Sequence, residues 1–139
     1  MGDSLYGYRF GPRVLVKAKV DSSTSAIKKY DMLTWATAGY VKQASANDTV
    51  IGFSADDCAV PSADGDAEIL MDVSTLSIYE YPPDTGTVTQ ALVGYTMDCG
   101  GAKSVNIDAS TDDCLEVVAA DVGKNTIFVR RVAVLTGVV

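Results

Sequence analysis

From Val14 the chain alternates. Val14, Val16, Ala18 and Val20 share one face of an extended segment, and Leu15, Lys17 and Lys19 share the other. Similar short runs follow: Met32-Leu-Thr-Trp35, Tyr40-Val-Lys42, Val50-Ile-Gly-Phe53, Glu68-Ile-Leu-Met-Asp-Val73 and Leu76-Ser-Ile-Tyr-Glu-Tyr81. Beyond Pro82-Pro83 come Ala91-Leu-Val-Gly-Tyr-Thr-Met97, Ser104-Val-Asn-Ile107, Leu115-Glu-Val-Val-Ala119 and the long Thr126-Ile-Phe-Val-Arg-Arg-Val-Ala-Val-Leu135. Turn residues separate them at Ala63-Asp-Gly-Asp66, Pro83-Asp-Thr-Gly86, Gly100-Gly101 and Gly123-Lys-Asn125. Gly52 inside a strand marks a bulge or a close backbone approach. No segment holds a helical period over three turns, although Ser23 to Lys29 could form one serine-capped turn. Strands at this spacing predict an all-β domain, a compact β-barrel or β-sandwich of short antiparallel strands.

Residues 1–13 break the pattern. Met-Gly-Asp-Ser-Leu-Tyr-Gly-Tyr-Arg-Phe-Gly-Pro-Arg has three glycines and a proline, which argue against regular structure. The chain therefore divides into an extended N-terminal arm, 1–13, and a single β domain, 14–139. Arg9 and Arg13 outweigh Asp3, so the arm is basic on an acidic body. Its aromatics are unusual for a disordered tail, and aromatic and arginine side chains anchor interfaces. Tyr6, Tyr8, Arg9, Phe10 and Arg13 are thus the candidate partner-binding residues. On this reading the arm orders against a partner, and deleting it leaves the β body folded.

The 139 residues suffice for one domain with a real core. A net charge of −7 disfavours nucleic acid and anionic membrane surfaces as partners. No apolar run approaches a membrane span, no secretory signal opens the chain, and Tyr6 stands where a myristoylation signal wants Ser or Thr. These features predict a protein made and used in cytoplasm. Cys58, Cys99 and Cys114 are odd in number and lack the C-x-x-C spacing of a zinc site, so three reduced thiols are expected.

Chemistry is sparse. The sequence has no histidine, which removes the commonest general base and metal ligand. It has no phosphate-binding loop, dinucleotide fingerprint or nucleophile elbow. Glu68, Glu80 and Glu116 lie on predicted strands, where solvated carboxylates are expected. No enzyme, metal or cofactor is predicted. Asp56-Asp57, Asp64-Gly-Asp66 and Asp112-Asp113 could offer oxygen ligands to calcium, but aspartates in turns more often bond local backbone. Arg130 and Arg131 point to opposite faces of a strand, so one approaches the buried side to meet an acid or a partner unless both reach water at a rim. Trp35 with Tyr79 and Tyr81 could form a sugar-binding platform, the alternative being that Trp35 joins the core.

The stretch Tyr30-Asp-Met-Leu-Thr-Trp-Ala-Thr-Ala-Gly-Tyr-Val-Lys-Gln-Ala44, followed by Val50-Ile-Gly-Phe-Ser54, resembles the small β-rich decoration (cement) proteins of tailed-bacteriophage heads. Val93-Gly-Tyr-Thr-Met-Asp-Cys-Gly-Gly101, Leu115-Glu-Val-Val118 and Thr126-Ile-Phe-Val-Arg130 fit the same pattern of strands and turns, over residues 14–135. The resemblance implies a structural virion protein on the capsid surface, assembled in the host cytoplasm. Its partner would be the major capsid protein, its own state a homo-trimer, and its role capsid stabilisation. It brings no catalytic residues. A carbohydrate-binding β-sandwich, or another virion surface or fibre-associated module, is the alternative.

Overall fold

The structure, a computed structural model, describes residues 6–37, 39–108 and 114–132. Among them every regular element is a strand, apart from one 3₁₀ turn at Gln90–Leu92. The protein is all-β. Five strands close a small barrel: β2 (Leu15–Val20), β3 (Met32–Thr37), β4 (Tyr40–Gln43), β5 (Gly52–Ser54) and β6 (Glu68–Asp72), in the order β2-β4-β3-β5-β6. A six-stranded sheet holds β1 (Gly7–Phe10), β7 (Ile78–Tyr81), β8 (Thr96–Gly101), β9 (Ser104–Asn106), β10 (Leu115–Asp121) and β11 (Thr126–Arg131), in the order β1-β7-β11-β10-β8-β9. All pairings are antiparallel except β2 with β4.

Two apolar cores follow from the period of two. Ala18, Val20, Leu33, Val41, Ile69 and Met71 fill the barrel. Met32 and Phe53 leave the same barrel strands on the other face and pack on Tyr79, Tyr81, Leu115, Val117, Ile127 and Val129 of the sheet. β3 therefore buries consecutive residues, Met32 and Leu33, because both its faces are covered; Ile78–Tyr81 is buried throughout for the same reason. The Phe53 ring stacks on Tyr79 at 3.8 Å between centroids. Burying each such ring contributes about 1.5–3 kcal/mol.

The sheet begins earlier than the sequence pattern indicates. Residues expected to lie in an arm without regular structure form β1, paired with β7 through Gly7↔Glu80 and Tyr8↔Tyr79. The boundary at residue 13 therefore falls inside the folded body, while residues 1–5 lie outside the described residues. Gly7 explains the misreading: its φ is +121°, and a Cβ there would come within 2.2 Å of the Tyr30 ring. This glycine permits close packing rather than freedom. Gly52 matches its expected close approach, since a Cβ would meet Met71 Cγ at 2.6 Å.

Other differences are local. The run expected as a strand from Ala91 to Met97 starts with the 3₁₀ turn, and β8 begins only at Thr96. It continues through Gly100-Gly101, so the hairpin turn is Ala102-Lys103. Gly100 instead lets Asp84 approach, whose Cγ would lie 2.8 Å from a Cβ. Ser23 to Lys29 forms no helix; Thr24 Oγ1 accepts the Gln43 amide and Ile27 bridges to Cys58. Residues 133–135 of the last predicted strand lie outside the described residues.

Candidate interaction surface

The five candidate side chains meet different fates. Tyr6 packs against the core between barrel and sheet. Tyr8 stands edge-on to Tyr79 and donates its hydroxyl to the Gly11 carbonyl at 2.7 Å. Arg9 Nε bonds Glu80 Oε1 at 2.8 Å, and Glu80 is only 1% exposed. Arg13 lies over the Tyr8 ring, with Nε 3.7 Å from Asp72 Oδ2. Phe10 alone remains largely exposed, at 56%. Four of the five thus serve the body, and one is free for a partner.

Phe10 belongs to a surface whose other members the sequence pattern misses. Segments 10–16 and 71–78 run antiparallel from the sheet into the barrel: Phe10 pairs with Ile78, Val14 accepts the Val73 amide, and Leu15 and Val16 pair with Asp72 and Met71. Along this ribbon Val14, Leu15, Val16, Leu70 and Leu76 are exposed beside Phe10. The alternation places Val14 and Val16 on the interior face with Ala18 and Val20. Val14 just precedes β2 and Val16 is its second residue, and both stay exposed. No local signal distinguishes them from Ala18 and Val20, because burial depends on contacts distant in the chain.

The ribbon is held by buried charge. Asp72 is fully buried; its Oδ1 accepts the Val14 and Ser74 amides, and its Oδ2 accepts the Tyr79 hydroxyl at 2.7 Å. Burial, more than the neighbouring Asp72 charge, pushes the Tyr79 hydroxyl well above its ordinary value. Arg131 donates to the Val73 carbonyl at 2.6 Å and Arg130 to that of Thr75 at 3.2 Å. Arg130 also pairs with Glu116. Desolvation lowers the Arg131 pKa from its usual value. Of the two arginines, Arg131 is the one that desolvation affects, and a backbone carbonyl receives it rather than the expected acid or partner.

The remaining candidates also resolve. Glu80, expected to be solvated, is buried between Arg9 and Thr126, whereas Glu68 is exposed and pairs with Lys19 at 3.2 Å. Tyr79 and Tyr81 are fully buried, so they form no platform with Trp35, which is itself 39% exposed rather than part of the core. Asp56, Asp57 and Asp64 accept the amides of Leu70, Lys29 and Ser22, and Asp66 accepts the Ser62 hydroxyl. Asp112-Asp113 lies outside the described residues. Among the described residues no cluster of metal ligands occurs. The cysteines are free thiols, with Cys99 and Cys114 buried. A shallow depression of about 220 Å³ is lined by Lys17, Asp56, Glu68, Ile69 and Leu70 at one end of the ribbon. Compared with family models, curated proteins and solved structures, the chain matches none.

Proposed function

We propose that this chain is a structural, non-catalytic protein that decorates the outer surface of a phage capsid and stabilises it, binding the major capsid protein and assembling as a homo-trimer. One observation supports docking above all: apolar side chains left exposed along one ribbon, Val14 and Val16 on one face and Leu15 and Leu70 on the other, with Phe10 and Leu76 further along and arginines bonded to its backbone. Arginine and aromatic side chains around an apolar centre are the composition of protein interfaces. The carboxylates best placed for acid–base work, Asp31, Asp72 and Glu80, are instead committed to internal bonds. The burial of Tyr79 and Tyr81 removes the aromatic platform on which a sugar-binding reading depended. The capsid assignment itself rests on the sequence resemblance.

Purified heads stripped of decoration test it. The protein is expected to cosediment with them saturably and to raise the temperature at which they release DNA. Binding to a glycan array without binding to heads would replace this reading with a carbohydrate-binding one.

A further inference from the structure

We propose that Cys99 and Cys114 are an oxidisable pair, which a small disulfide such as oxidised glutathione converts into a staple between β8 and the start of β10. Both side chains belong to the core between barrel and sheet, and both are fully buried. Their sulfurs meet at one atom. Cys99 Sγ lies 3.0 Å from the Ser45 carbonyl oxygen and 3.3 Å from that of Asp48. Cys114 Sγ lies 3.7 Å from the same Asp48 oxygen.

Register brings the two backbones together. Leu115 pairs with Met97 and Glu116 with Thr96, so one residue further Cys114 falls opposite Asp98 and diagonal to Cys99. Cys114 continues the ladder on its other side, where its carbonyl accepts the Val132 amide. Strand spacing and rise then set the two α-carbons about 6 Å apart, inside the roughly 4.4–6.8 Å that a disulfide spans. Strict alternation would turn the Cys114 side chain away from Cys99. Instead both sulfurs reach the same carbonyl and the same core, so the side chains converge just before β10 begins.

The step is a thiol–disulfide exchange. One cysteine thiolate attacks the small disulfide, forming a mixed disulfide and releasing one small thiolate. The second cysteine thiolate then displaces the remaining half. Two cysteines are oxidised, the reagent is reduced to two thiols, and the two cysteine protons end on them. The link closes the loop 100–113, which carries β9, and gives up only weak bonds from sulfur. Burial, aided by Cys114, raises the Cys99 thiol to about 12, so the native pair has little thiolate at neutral pH and exchanges slowly. Formation of the link does not depend on what the protein binds.

Equilibration in glutathione redox buffers tests this, because an equilibrium is indifferent to how fast a buried thiol is reached. The Cys58→Ser chain retains only the pair. It is unfolded, refolded at a series of oxidised-to-reduced glutathione ratios, quenched with acid and mapped by mass spectrometry without reduction. The folded chain should hold the Cys99–Cys114 link under conditions about a hundredfold more reducing than the same chain in concentrated urea. By the same linkage, the oxidised chain should unfold about 5 °C or more above the reduced one.

A folded chain no more easily oxidised than the unfolded one overturns the proposal. So does glutathione attached to single cysteines, or a link between chains, at ratios where the staple is expected. Should Cys58→Ser fail to fold, the parent carries the same test, with the link mapped to Cys99 and Cys114. A link that includes Cys58 would count against the pair.

Discussion

Glu80 shows how much one pair can carry. Its carboxylate is buried among strands, with Arg9 Nε and the Thr126 hydroxyl as partners. Removing one member of a buried pair leaves an uncompensated charge. Arg9→Ala is therefore expected to cost about 2–4 kcal/mol, less than a fully buried pair because Arg9 is 25% exposed. Urea denaturation measures it, and a loss under about 0.5 kcal/mol would show that water replaces the arginine freely. The thiols offer a second test. Burial, aided by the nearby Cys114, pushes the Cys99 thiol from 9.0 up to about 12. Folding thus favours its protonated form. That contribution is fully present below pH 9 and is lost as pH rises through about 12, so stability should fall over this alkaline window. In the native state at neutral pH, a thiol reagent should modify half-buried Cys58 first, and Cys99 and Cys114 only on unfolding.

At the scale of elements, β1 decides what the N-terminus is for. It covers Tyr79 with Tyr8 and supplies the arginine for Glu80. Deleting residues 1–10 should therefore lower the unfolding midpoint markedly rather than leave the body unchanged, as a calorimetric scan would show. β5 is constrained differently. Gly52→Ala would drive a methyl into Met71 Cγ and the Asp72 carbonyl, the latter 2.8 Å away. Such overpacking costs about 1–3 kcal/mol, and backbone cannot give way as a side chain can. Both features were half legible in the sequence. Gly52 stood out inside an apolar run, whereas Gly7 sat among other glycines and looked like a flexible tether.

For the whole molecule, the core between barrel and sheet joins the two, beside the barrel's own. Phe53 of the barrel stacks on Tyr79 of the sheet, and Asp72 of the barrel accepts the hydroxyl of that same tyrosine. The ribbon 10–16 and 71–78 links one to the other, pairing Phe10 with Ile78 at the sheet and bonding Val14 to Val73 and Leu15 to Asp72 at the barrel. Opening either part exposes the core between them, so unfolding should be a single transition with equal calorimetric and van't Hoff enthalpies. A resolved low-temperature transition would show that the barrel folds alone.

Sequence by itself determined the all-β class, because a period of two and turn residues act over a few neighbours, and neighbours are what a sequence displays. It also located most strands, as at Glu68–Asp72 and Leu115–Asp121, and set the acidic balance of the chain. Only the tertiary structure decided which faces lost water. Val14 and Val16 obey the same alternation as Val20, yet they stay exposed where Val20 is buried. Tyr79 and Tyr81 look like a strand's outer face and are buried because a second sheet lies over them. Arg9 and Arg13 read as free anchors until the fold brings Glu80 and Asp72 to them from about 60 to 70 residues along the chain. Burial and charge pairing depend on long-range contacts, and their partners are set by topology rather than by neighbouring residues.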